Sequence, residues 1–206
     1  MRLQGKALNR KRSQRKAAEG ARHFASADRY MDRRLQELKK ILADAAAGMS
    51  AEQLRWHPPG KWCAAEVLEH LYLTYTATIK GFERVLEAGK PLAGSTSTMS
   101  ASLKHRFATL LVLDVGYLPS GRKAPKMAQP RGLPAETVRA EMEAKIAAMD
   151  ETIARCEEKI GKGKLLDHPI LGPLTATQWR KFHLVHGRHH AKQIRRLRQQ
   201  TRSVPR

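Results

Sequence analysis

An all-α fold, a four-helix bundle with long crossovers and short extra helices, is what this sequence predicts. Three observations carry that expectation. The 206-residue chain is 41% apolar but only 5% aromatic, and Ala and Leu dominate the apolar part, which favours helix because unbranched side chains lose little rotamer freedom there. Apolar residues recur at three- and four-residue steps through four long segments, the period of an amphipathic helix. No segment alternates with the two-residue period of a strand over a useful length.

The long helices are expected near residues 26–48, 63–88, 134–160 and 175–201. In the first, Met31, Leu35, Leu38, Ile41, Leu42 and Ala45 share a face that ends near Gly48. Ser50-Ala51-Glu52-Gln53 then fits a capping box opening one short helical turn. His57-Pro58-Pro59-Gly60 stops that turn, since proline removes a donor and restricts the residue before it. Leu68, Leu71, Tyr75, Ile79, Phe82 and Leu86 form the stripe of the second long helix, and Gly89 suits its C-terminal cap. Residues 90–97 read as loop and 98–113 as a shorter helix around Leu103, Phe107, Leu110 and Leu111. Residues 114–133, with Pro119, Pro125, Pro130 and three glycines, read as an extended crossover. Pro134 suits the first turn of the third long helix, whose stripe is Val138, Met142, Ile146, Met149 and Ile153. Leu165 to Leu174 is expected to be a second loop, and Thr175-Ala176-Thr177-Gln178 a second capping box opening the last helix.

The formal charge of +20 is unevenly placed. Residues 1–40 carry +9, residues 180–206 another +9 and the 139 residues between them +2. The expected organisation is a basic flexible arm at 1–22, a helical domain at 23–201 and a basic tail at 202–206. Nothing approaches the roughly 18–20 apolar residues of a membrane span, and no apolar stretch follows the basic N-terminus as in a secretory signal. Cys63 and Cys156 form no ligand-spaced pair, which fits a reduced, cytoplasmic protein.

The chemistry lies in histidines. His186 and His190 stand four residues apart, on one face of the last helix, a spacing that lets two imidazoles reach one ion. An isolated pair of this kind on a basic helix is more often two solvated rings. Here Phe182 and Leu197 on the same stripe turn the pair inward, and buried imidazoles need partners. His183 and Gln193 fall on that stripe, whereas His189 is rotated away. His70, between Val67 and Leu71 in the second long helix, is plausible as a third inward imidazole. Glu66, one turn before His70, can be read as a partner of the site or a general base, or more simply as a surface carboxylate. Cys63, Trp62 and Trp179 read as packing residues, and His57, His105 and His168 as surface ones. Gly187 follows His186, so the His-Glu-x-x-His pattern of metallopeptidases is absent.

Trp62 just before a helix, His70 eight residues later, and His186-x-x-x-His190-x-x-Gln193 near the C-terminus resemble the DinB-like superfamily, in order and helix placement, over roughly residues 28–200. The segment His168 to Trp179 looks like one subgroup of it. The superfamily comprises four-helix bundles with a three-histidine metal site, among them bacillithiol- and mycothiol-dependent transferases and isomerases. The resemblance implies His70, His186 and His190 as ligands of a divalent ion (Zn, Ni, Fe or Mn). It also implies a low-molecular-weight thiol, a small-molecule substrate, and thiol transfer or hydrolysis as the activity. The basic arms depart from the family pattern, and His183 and His189 crowd the candidate ligands.

The alternative is a nucleic-acid-binding or adaptor protein whose helices are a scaffold and whose basic ends hold phosphate non-specifically; a homodimer is compatible with either reading. Removal of residues 1–22, which hold little apolar surface, is expected to leave thermal melting almost unchanged. The same deletion is expected to weaken any binding to nucleic acid, most visibly at low salt. Melting curves and a salt titration of the deletion variant check both.

Overall fold

The computed structural model describes residues 31–94, 99–119 and 123–202. The arm expected at 1–22, the start of the first expected helix at 26–30 and all of the expected tail 202–206 except its first residue lie outside them. Among the described residues six helices and one small hairpin follow in order. Helix α1 spans Arg33–Ala46, the short α2 Ala51–Arg55, α3 Ala64–Ala88, α4 Met99–Thr109, α5 Ala135–Ile160 and α6 Ala176–Arg202. A π-helical turn, Leu110–Asp114, extends α4, and a 3₁₀ turn, Lys126–Ala128, lies in the crossover before α5. No helix among the described residues is long and apolar enough to cross a membrane.

Local chemistry sets most boundaries. Asp32 caps α1 by accepting the Arg34 N–H, so Met31 precedes this helix instead of belonging to its stripe. Ser50 and Gln53 form the expected capping box of α2, and Thr175 and Gln178 exchange the same two bonds at the start of α6. Helix α3 ends where Gly89 takes a left-handed conformation (φ 62°).

Two expectations are corrected. The segment Leu165 to Leu174 is not a loop: Lys164–His168 (β1) pairs antiparallel with Gly172–Thr175 (β2), with a bulge between Lys164 and Leu166. Strands of five and four residues are too short for alternation to register. Pro173 is tolerated because both strands are edges. Buried Leu165 and Leu174 anchor the hairpin, and the Leu166 side chain lies directly against Gly81 of α3. Helix α4 differs in orientation. Leu103, Phe107 and Leu110 are 70%, 65% and 54% exposed, while Val112 and Leu113 of the π turn are buried. The wider π turn carries the chain out of the four-residue register of the preceding helix.

The core is shared by the four long helices. Helix α3 packs on α5, α1 on α6, and further contacts join α1 to α5 and α6 to both α3 and α5. Leu35, Leu38, Leu71, Tyr75, Phe82, Ile146, Ile153 and Ile194 are fully enclosed. One buried ionic network crosses this core. Arg180 of α6 donates from Nε to Asp150 Oδ1 at 2.7 Å and from Nη1 to Glu157 Oε2 at 2.9 Å, while Asp150 Oδ2 accepts the Asp32 N–H at 2.7 Å. It joins α5, α6 and the start of α1, and each charge is met within hydrogen-bond distance, as burial requires.

Gly187, next to His186 on α6, permits the close approach of α1: a Cβ there would overlap the Leu38 side chain, itself fully buried. Gly187→Ala is expected to lower stability by about 1–3 kcal/mol through overpacking. Denaturant unfolding measures that cost, and it should largely vanish when Leu38→Ala makes room.

Candidate metal centre

The capping box at Thr175 starts α6 so that its inward face carries Trp179, Phe182, His183, His186 and His190. The four-residue step from His186 to His190 brings their Nε2 atoms to 3.0 Å, with ring centroids 4.6 Å apart. From α3, His70 places its Nε2 3.3 Å from that of His186. The three residues form a group able to hold a metal ion, one ligand atom from each lying within 4.8 Å of the others. Ligands about 2.1 Å from a common ion stand roughly 3.0–3.4 Å apart at octahedral or tetrahedral angles, so the two short separations match a shared ion.

Hydrogen bonds assign the protons. His70 Nδ1 lies 2.7 Å from the Ala128 carbonyl oxygen, which can only accept, so Nδ1 carries the hydrogen and Nε2 a lone pair. His190 Nδ1 donates to Gln193 Oε1 at 3.0 Å, with the same result. His186 Nε2 faces both lone pairs, while its Nδ1 is enclosed with no partner among the described residues. Phe182 stacks on the His186 ring at 16° and 5.3 Å, and Trp62, partly exposed, sits 5.2 Å from His70.

All three rings are held neutral. Burial pushes the His190 pKa down to about 3, helped by the neighbouring His70. Burial, then His190 and His70, keeps His186 well below the usual imidazole value. Burial lowers His70, against the opposing effect of the Ala128 carbonyl. Neutral imidazole is the metal-binding form.

The other candidates have different employment. His183 is fully enclosed and its pKa is lowered to about 3 by burial. The Thr78 hydroxyl donates to the Thr74 carbonyl, so it accepts from His183 Nε2 at 3.2 Å, and His183 is not part of the three-histidine group. His189 is partly exposed beside His190. Glu66 closes the N-terminal cap of α3: its Oε2 accepts the Cys63 N–H at 2.8 Å while Cys63 Sγ accepts the Glu66 N–H. Among the described hydrogen bonds and ion pairs Glu66 has no link to the histidines. Cys63 and Cys156 are free, buried thiols, and burial raises both.

Two further histidines are not the surface residues expected. His168 turns the hairpin, its Nδ1 accepting the Ile170 and Leu171 N–H groups, and its ring packs 4.3 Å from Phe182, where burial lowers its pKa to about 4. His105 lies against Gly172 with its Nδ1 enclosed. His57 is exposed. The sequence reading also passed over Glu69, Thr78 and the Ala128 carbonyl. The last two offer no sequence signal, because a carbonyl belongs to every residue and threonine is common in helices.

His168, His183, His186 and His190 have folded-state pKa values below the unfolded value of about 6.5. Below that pH the unfolded chain binds the extra protons, so their contribution to stability is intact above about pH 6.5 and lost on acidification. Each such histidine adds a slope of up to about 1.4 kcal/mol per pH unit. Metal-free protein is therefore expected to melt at constant temperature from pH 8 to 7 and progressively lower from 6.5 to 5. A flat thermal-melt profile across the second range would contradict the assignment.

A protein-family model described as "Protein of unknown function (DUF1569)" matches residues 27–197, an interval that contains all three histidines. No curated protein matches the chain, and no solved structure does. The match covers most of the sequence and includes every element from α1 to the last turns of α6, so this helical three-histidine chain belongs to the DUF1569 family.

Proposed function

We propose that the chain is a metal-dependent enzyme on a four-helix-bundle scaffold, with Nε2 of His70, His186 and His190 holding one divalent ion. The observation that supports this most directly is the convergence of these three atoms. Two lone pairs, fixed by Ala128 and Gln193, meet a third ring nitrogen at 3.3 and 3.0 Å. A single proton on His186 Nε2 can satisfy only one of those two lone pairs, whereas a cation between the three nitrogens satisfies them all. Three protein ligands leave coordination positions free, the pattern of a catalytic rather than a closed structural site.

Bound there, a divalent ion supplies Lewis acidity that lowers the pKa of a thiol or of water. Of the two chemistries, thiol transfer to a small electrophile has the better support. Activating water calls for a nearby base, and the two carboxylates closest to His70 in sequence, Glu66 and Glu69, are both engaged with backbone N–H groups. A thiol with a pKa of about 8.5 already lies close to neutrality. The DinB-like resemblance points the same way, toward a low-molecular-weight thiol. Trp62, partly exposed beside His70, offers an apolar wall for an organic substrate.

The second reading, a basic nucleic-acid-binding or adaptor protein, rests on the far end of α6. Lys192 and Arg196 are exposed there and, after burial, are the causes that hold His189 below its ordinary pKa. Such charge suffices for non-specific phosphate binding.

Elemental analysis and titration of purified protein distinguish the readings. One divalent ion per chain is expected, and His70→Ala is expected to weaken binding by more than ~100-fold, with Gln193→Leu costing roughly 10-fold or more. Metal content that survives His70→Ala excludes the three-histidine site.

A further inference from the structure

Glu69 immediately precedes His70 on α3 and is only 2% exposed. No ion pair involves it among the described residues. Its carboxylate accepts three successive backbone N–H groups instead, those of Arg131 at 2.7 Å and of Gly132 and Leu133 at 3.1 Å. The next side chain, His70, donates to the carbonyl of Ala128, in the same crossover. Two adjacent residues of α3 thus grip both ends of the strap 128–133. Gly132, at φ 84°, supplies the left-handed turn on the strap. On its leading side Ala128 is buried and closes the 3₁₀ turn by donating to the Pro125 carbonyl, while Gln129 Nε2 donates to the Ala124 carbonyl.

We propose that the strap is a metal-linked element of the site and that Glu69 is a positioning residue, setting metal affinity through Ala128 and His70. The inference rests on the metal-binding reading above and deepens it. The Ala128 carbonyl does two things to His70: it fixes the ring's orientation, and it holds the hydrogen on Nδ1, which leaves Nε2 free to ligate. A strap lifted from α3 releases both constraints, and the tautomer protonated at Nε2 is no ligand. In the other direction, a cation on Nε2 withdraws electron density from the ring and makes Nδ1–H a stronger donor to Ala128. Binding and docking therefore favour one another, and linkage requires the effect to be mutual. Glu69 anchors the far end of the strap with charge-assisted bonds, stronger than neutral ones, which makes its carboxylate the side-chain anchor this coupling depends on.

The test uses the full chain with Zn²⁺ as the probe, measured by competition with a chromophoric chelator and by hydrogen exchange of the peptide covering residues 128–133. In the unaltered protein Zn²⁺ is expected to slow exchange at Arg131, Gly132 and Leu133. Glu69→Gln, which loses the charge and brings an N–H against the strap's own donors, is expected to weaken Zn²⁺ binding about 10- to 100-fold. It should also abolish the Zn²⁺-dependent slowing. A purely structural Glu69 would lower the melting temperature of the variant without moving Zn²⁺ affinity in the folded protein. The exchange measurement on the unaltered chain keeps the proposal falsifiable even if the variant folds poorly. Zn²⁺ binding that leaves exchange at 128–133 unchanged, or that is equal in Glu69→Gln, overturns the strap proposal and leaves the metal centre standing; failure of the unaltered chain to bind Zn²⁺, Ni²⁺, Fe²⁺ or Mn²⁺ overturns both.

Discussion

The imidazoles of His70, His183, His186 and His190 meet where α3 packs against α6, and each ring nitrogen there needs a partner or must remain unprotonated. That constraint organises the region where α3 meets α6. His70 Nδ1 is met by the Ala128 carbonyl, His183 Nε2 by the Thr78 hydroxyl and His190 Nδ1 by Gln193. Three Nε2 atoms meet one another, and the Nδ1 atoms of His183 and His186 are enclosed without a partner among the described residues. An unpaired buried polar group costs on the order of 1–3 kcal/mol, so a core that keeps such a cluster is poorly explained by stability alone. The cation proposed above would give the cluster its physical reason.

The same burial that makes the cluster costly makes it suitable for a metal. In water these imidazoles would be partly protonated near pH 6.5, and protons would compete with a cation. Enclosure holds His186 and His190 neutral well below that pH and lowers His70 as well, which favours the ligating form of the rings in the neutral range. The crossover before α5 is built into this arrangement, since one of its carbonyls orients His70 and three of its amides are held by Glu69. What reads along the chain as a proline-rich connection is in three dimensions a wall of the site. The hairpin also reaches this region, packing His168 against Trp179 and Phe182 of α6.

Charge and apolar surface are distributed separately from this centre. In the core, Arg180 is neutralised by Asp150 and Glu157. Farther along α6, Arg188 pairs with Glu37 of α1 and Arg198 donates to the Asp44 and Ala47 carbonyls. Part of the basic C-terminal charge therefore fastens α6 to α1 instead of facing solvent unpaired, which weakens the view of this helix as a simple phosphate-binding arm. Helix α4 turns Leu103, Phe107 and Leu110 outward, and Lys181 ties its π-helical end to α6 through Asp114.

Periodicity and caps determined the helices: the steps through Leu35, Leu38 and Leu42, the Ser50–Gln53 and Thr175–Gln178 boxes and Gly89 each act within a turn or two of their own position. The facing of His186 and His190 was legible for the same reason, because a four-residue step means one face on any helix. The hairpin was not legible, since its pairing of Leu166 with Leu174 is made across a turn by backbone groups that every residue carries. Nor was the exposure of Leu103 and Phe107, which depends on what lies opposite α4 rather than on its own pattern. The functions of Glu66 and Glu69 illustrate the division. Both are acids near His70, yet one caps its own helix and the other holds a segment more than sixty residues away. Sequence determines which groups a helix face presents, through interactions a few residues long. Which nitrogen of His70 keeps its proton was decided by a carbonyl 58 residues distant, because hydrogen bonds between distant segments form only when packing brings them within about 3 Å.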